Sequence, residues 1–158
     1  MERLLEELRS DLGRRHLRLS RSDGQEAIGF HAIGRNGNWP VLMTQEISAE
    51  DGEAVLRICS TLPLTLDKNR RSGIAELVTR LNELVEQGRF EPPDAAGRVH
   101  YRVAHRLTDC DEAHGVRSAI EQHVATVDSN LPSFFAVAAG GQTPTEAVDQ
   151  LERMRRFG

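Results

Sequence analysis

The apolar positions of this chain follow two different periods, and the changes between them mark its elements. Leu4, Leu5, Leu8 and Leu12 fall along one side of a helix with Glu2, Glu6, Glu7 and Asp11 among them, and Gly13 offers the left-handed position that ends such a helix. Short β-compatible runs follow at residues 16–20, 27–33, 39–47 and Ala54–Thr61, separated by Ser22-Asp23-Gly24, Asn36-Gly37 and the polar stretch 48–52. These predict an antiparallel meander. Asn36-Gly37 predicts a two-residue hairpin turn, because such a turn needs positive φ at both central positions and these residues adopt it at low cost. In the fourth run Leu56 and Ile58 alternate with Val55, Arg57 and Cys59, the signature of a strand with one buried face.

The helical period returns at Ile74, Leu77, Val78, Leu81, Leu84 and Val85, which share one stripe that Gly88 is expected to close. Phe90-Glu91 and residues 98–107 then flank Pro92-Pro93-Asp94-Ala95-Ala96-Gly97, a composition that favours chain reversal and predicts a second hairpin. Val116, Ala119, Ile120, Val124 and Val127 form a further helical stripe that continues as apolar residues to 139, and Pro132 is expected to kink or break it. Thr143-Pro144-Thr145-Glu146 is a capping box with proline at the first helical position, and it opens a final helix through Val148, Leu151 and Met154. The order α-β-β-β-β-α-β-β-α-α predicts an α+β domain spanning residues 1–158, an antiparallel sheet covered mainly on one face.

Composition narrows the class further. With 158 residues, 39% hydrophobic and 28% charged, the chain can close a core without metal or disulfide staples, which excludes disordered and collagen-like classes. A net charge of -4 argues against a surface that attracts nucleic acid or anionic lipid as a whole, and 4% aromatic content leaves few stacking platforms for bases. Cys59 and Cys110 form no CxxC pair, and acidic residues interrupt the first apolar run, so neither a disulfide framework nor an export or membrane segment is expected. A cytoplasmic protein follows as the expectation.

Three stretches together carry a resemblance. They are Glu76-Leu77-Val78-Thr79-Arg80-Leu81-Asn82-Glu83-Leu84-Val85-Glu86-Gln87-Gly88-Arg89-Phe90, then Gly97-Arg98-Val99-His100-Tyr101-Arg102, and Gly140-Gly141-Gln142-Thr143-Pro144-Thr145-Glu146-Ala147. The combination resembles the bacterial YbjN family, whose members are regarded as sensory transduction regulators. The resemblance covers most of the chain and is most specific over residues 76–101. It implies a fold similar to that of type III secretion chaperones, with helices flanking an antiparallel sheet, and it implies that dimers are common. It implies neither a secretion apparatus nor any catalytic residue.

Candidate chemistry concentrates in two places. Along residues 98–107, Val99, Tyr101, Val103 and Leu107 point one way while Arg98, His100, Arg102 and Arg106 point the other, since successive strand side chains alternate. The second set reads either as an anion or acidic-peptide docking strip, because arginine forks pair bidentately with carboxylates, or as an ordinary solvated sheet face. His105 lies on the apolar register as a core histidine. Phe134 and Phe135 concentrate apolar surface beside Pro132, as core or as an interface.

His105, Asp109, Cys110, Asp111 and His114 are the densest group of potential metal ligands, but their spacing matches no standard site and only one is a cysteine. No metal or cofactor is expected. GxSxG, HExxH and GxxxxGK[ST] are absent, Gly140-Gly141 reads as a helix stop, and Glu50, Asp51 and Glu53 occupy a polar turn. The expectation is a non-enzymatic protein-interaction domain, chaperone-like or regulatory, that acts as a homodimer and holds another polypeptide through Arg98, His100, Arg102, Arg106, Phe134 and Phe135. The alternative is a small-molecule or metal-ion sensor built on the region from His105 to His114.

Overall fold

The computed structural model describes residues 18–22, 25–47, 52–107 and 112–157. The predicted opening helix, the start of the 16–20 run, the turn residues 23–24 and 48–51, and Asp109, Cys110 and Asp111 lie outside them. Strands β1 (Arg18–Ser22), β2 (Gln25–Ile33), β3 (Asn38–Ile47) and β4 (Ala54–Thr61) run as a meander. A 3-10 turn at Lys68–Arg70 then leads into α1 (Arg71–Asn82), β5 (Arg89–Phe90), β6 (His100–Leu107), α2 (Glu112–Ala138) and α3 (Pro144–Phe157). The sheet has six strands in the order β1-β2-β3-β4-β6-β5, with every pairing antiparallel. The fold is α+β, as the element order predicts.

Strand alternation decides where the core sits. Ile28, Phe30 and Ala32 of β2, Trp39, Val41 and Met43 of β3, Leu56 and Ile58 of β4, and Tyr101 and Val103 of β6 are buried in one cluster with Ile74, Leu77 and Leu81 of α1 and Ile120, Val127, Leu131 and Phe134 of α2. Helix α3 adds Ala147 and Leu151 to it. Each fully buried side chain of this size contributes about 1.5–3 kcal/mol through removal from water. The helices therefore cover one face of the sheet. No helix among the described residues is long and apolar enough to cross a membrane.

Three local expectations are corrected. The β2–β3 turn contains Asn36 and Gly37, but it closes on Gly34 N–H donating to Gly37 O at 2.9 Å, with Ile33 opposite Asn38. Its tip is therefore Arg35-Asn36, and Gly37 is not among the glycines at positive φ. Helix α1 ends at Asn82 rather than running on to Gly88. Asparagine competes with helical bonding through its own amide, and here that amide receives Phe90 N–H at 2.8 Å and donates to Phe90 O at 2.9 Å, acting as a strand neighbour for β5. Gly88, at φ 69°, serves the sheet instead. A Cβ there would lie 2.4 Å from Val103 Cγ2 and 2.6 Å from Arg102 O, so only glycine lets the chain pass this close to β6.

The third correction concerns Pro132, which lies inside α2 without ending it. A proline removes the N–H that would bond the carbonyl four residues earlier, here that of Asp128. Asn36 of the β2–β3 turn takes up that carbonyl, so the missing helical bond is replaced by one to the sheet. At the start of α3 the capping box is present: Glu146 N–H donates to Thr143 Oγ1 at 3.3 Å and Thr143 N–H donates to Glu146 Oε2 at 2.8 Å.

Candidate functional site

The alternation that buries Leu56, Ile58, Tyr101 and Val103 turns Arg57, Cys59, His100, Arg102, Ala104 and Arg106 to the opposite face of the sheet, which no helix among the described residues covers. Register then assembles a row across four strands, Gly29 beside Leu42, Leu42 beside Cys59 and Cys59 beside Arg102. Leu42 is 46% exposed at its middle. Hollows of ≈ 790 Å³ and ≈ 640 Å³ adjoin this row and share Leu42, Cys59 and Arg102 as lining.

The predicted side-chain alternation of β6 is correct, but the expected basic strip carries partners. Arg98 meets Asp94 at 3.0 Å, Arg102 meets Glu91 at 2.9 Å, and Arg106 meets Glu53 at 3.1 Å. His100 lies 3.3 Å from Asp94 and 3.1 Å from Thr61 Oγ1. On the adjacent strands Arg57 meets Glu46 at 2.7 Å. Each cation of the strip thus faces a carboxylate, and the strip is charge-balanced rather than a surplus of positive charge waiting for an anion. The backbone N–H of Arg98, followed by His100 and the Arg98 side chain, holds the Asp94 carboxyl down to about 2. Burial pushes the Cys59 thiol up, against an opposing pull from Arg102 and with a smaller push from Glu91, so it stays a protonated thiol rather than a thiolate nucleophile.

Phe134 and Phe135 are not one surface. Phe134 has 0% exposure and its ring centroid is 5.0 Å from that of Phe90, so it belongs to the core and offers nothing to a partner. Phe135 is 38% exposed. The two are adjacent on a helix, where successive residues point about 100° apart. His105 is half-buried rather than a core residue. Among the described residues no group of three or more His, Cys, Asp or Glu is placed to hold a metal, and the side chain of His114 lies outside the described residues together with Asp109, Cys110 and Asp111.

The core also holds a polar chain that no sequence motif marks. Trp39 Nε1–H donates to Ser60 Oγ at 3.0 Å, and Ser60 Oγ lies 2.7 Å from His123 Nε2, with the rings of His123 and Tyr101 4.8 Å apart. Burial pushes His123 down to about 4, so its ring is neutral near pH 7. The pair has the elements of a nucleophile and its base, and Ser60 is 0% exposed. The available signals are a serine on the buried parity of β4, two residues after Ile58, and a histidine set in the apolar stripe of α2 between Ile120 and Val127, a placement that reads as core or interface packing. Comparison with protein-family models and with curated proteins gives no match.

Proposed function

We propose that this chain is a non-catalytic protein-interaction domain of the regulatory or chaperone-like kind, related to the YbjN family and acting in the cytoplasm as a homodimer. Its contact surface is the face of the sheet opposite α1, α2 and α3, and the occupant of that face is a second copy of the chain. The observation that carries this reading is the arrangement around Leu42: an exposed apolar centre rimmed by Arg57–Glu46, Arg102–Glu91 and Arg106–Glu53 pairs.

A two-fold interface sets the same patch against itself, so the patch must not repel its own image. The three Arg–Glu pairs of the rim meet that requirement, and one further cation on this face, Arg89 opposite Arg102, leaves it with a slight positive excess. Size is adequate as well. Five strand widths of about 4.8 Å and about seven residues of about 3.3 Å give a flat footprint of roughly 550 Å² before side-chain relief is counted, against about 800 Å² per partner in a standard interface. Leu42 would serve as the buried anchor and the ion pairs as its polar rim.

Light scattering of the purified protein across micromolar concentrations tests this. The expected particle has twice the 17.6 kDa chain mass. Leu42→Glu, at an exposed position, is expected to return the chain to a monomer with unchanged circular dichroism. A wild-type monomer throughout, or a dimer indifferent to Leu42→Glu, refutes the assignment of this face.

A further inference from the structure

The balanced strip of β6 stops short of one cation. Arg89 of β5 stands directly opposite Arg102 of β6, and residues opposed in an antiparallel pair lie only about 4.5–5.5 Å apart at Cα with their side chains on one face. Like charges so placed repel unless an anion lies between them. Glu91 meets Arg102 Nε at 2.9 Å and Glu46 meets Arg57 Nε at 2.7 Å, but among the described residues no carboxylate pairs with Arg89. Its backbone is nonetheless held firmly. Gly88 before it packs against Val103 and the Arg102 carbonyl, and Phe90 after it is bonded through both backbone groups to Asn82, while the Arg89 side chain is exposed.

Arg57, Arg89 and Arg102 all line the hollow of ≈ 790 Å³, against Glu46 and Glu91, so its wall carries one cation in excess. A guanidinium engaged at Nε still has its Nη donors, and two of them on one face form a fork that fits a single oxyanion. From Arg102 the same row runs through Cys59 to Leu42, two strand widths or about 10 Å away, where the hollow has an exposed apolar side chain. We infer that this hollow binds a monocarboxylate with an extended hydrocarbon body, its carboxylate held between Arg89 and Arg102 and its body crossing Cys59 to Leu42. Charge selects among oxyanions: one excess cation balances a carboxylate, whereas a phosphate dianion would leave the hollow negative beside Glu46 and Glu91. Leu42 is also the anchor of the proposed self-contact, so ligand and second copy exclude one another there, and to that extent the site rests on that reading.

Octanoate is the probe, with octan-1-ol as a body of equal length without the charge. NMR of backbone amides and arginine Nε–H groups follows the titration. Octanoate is expected to shift the signals of Arg89, Arg102 and Leu42 saturably, and to bind about tenfold or more tightly than octan-1-ol. Arg89→Gln, at an exposed position, is expected to weaken octanoate binding by about tenfold without lowering the unfolding temperature. Light scattering at saturating octanoate is expected to give the mass of one chain. No saturable shift, equal affinity for both probes, binding indifferent to Arg89→Gln, or a dimer that persists with octanoate bound overturns the inference. A wild type that is monomeric without ligand, yet binds octanoate with this dependence on Arg89, supports the site and refutes the self-contact alone.

Discussion

Asn36 and Asp128 bond to one another at both ends: the Asn36 side-chain amide donates to the Asp128 carbonyl at 3.0 Å, and the Asn36 backbone N–H donates to the Asp128 carboxylate at 2.8 Å. The second carboxylate oxygen accepts Arg35 N–H at 3.1 Å. Gly34 makes the fit possible, since a Cβ there would lie 2.0 Å from Asp128 Oδ1. A hairpin tip is thereby fastened to the point of α2 where Pro132 leaves a carbonyl open. Asn36→Ala is expected to cost about 1–2 kcal/mol. In a Pro132→Ala background, where residue 132 regains its N–H, the same substitution should cost less. A double-mutant cycle by urea denaturation checks this, and additive costs would show that the carbonyl is not shared between the two residues.

Ser60→Ala should be worse than the loss of one hydrogen bond. It strands both the Trp39 indole N–H and His123 Nε2 in the core, and the expected loss is about 2–4 kcal/mol. Denaturant titration followed by Trp39 fluorescence measures it. A loss under about 1 kcal/mol would mean that the groups re-pair or hydrate.

Acid should weaken the fold through His123 before it does so through Asp94. His123 is pushed from 6.5 down to about 4 by burial, so the unfolded chain takes up the proton first as pH falls. Its contribution is therefore complete above about pH 6.5 and is lost progressively down to about pH 4, a change of roughly 3 kcal/mol. Asp94, held at about 2, loses its contribution only in more acidic solution, as pH falls through that value. Unfolding midpoints at about pH 7 and about pH 5 should differ for the wild type and much less for His123→Phe. Equal slopes in the two proteins would assign the acid sensitivity elsewhere.

Asn82→Ala removes both bonds that hold β5 to the end of α1. The expected cost is about 2 kcal/mol, with faster hydrogen exchange confined to Phe90 and its neighbours. Exchange that rises uniformly across the sheet would instead point to a loss of global stability.

The parts of this molecule that are legible in its sequence are those fixed by near neighbours. The alternation of Tyr101 and Val103 with Arg102 follows from strand geometry alone, and the Thr143 cap needs only the glutamate three residues on. What the sequence hides depends on register and docking. Arg102 finds Glu91 across the β5–β6 hairpin, and Arg57 finds Glu46 across β3–β4, so the apparent basic strip cannot be balanced before the strands are paired. Asn82 and Pro132 are hidden for a similar reason, since their partners, Phe90 and Asn36, come from other elements. Phe134 and Phe135 adjoin in sequence and invite grouping, whereas the helix sends one inward and the other out.

The strand order has a consequence for how the chain reaches this state. Strands β1 to β3 pair with their immediate successors, but β6 inserts beside β4 after α1 and β5 have been made, so Thr61 must wait for His100. Short-range zippering is quick and long-range closure is slow, because the intervening segment loses entropy before any contact rewards it. The β4–β6 seam is therefore the late step of assembly. Until it closes, the edge of β4 stands open, and that interval is when the nascent chain is most exposed to mispairing with its neighbours.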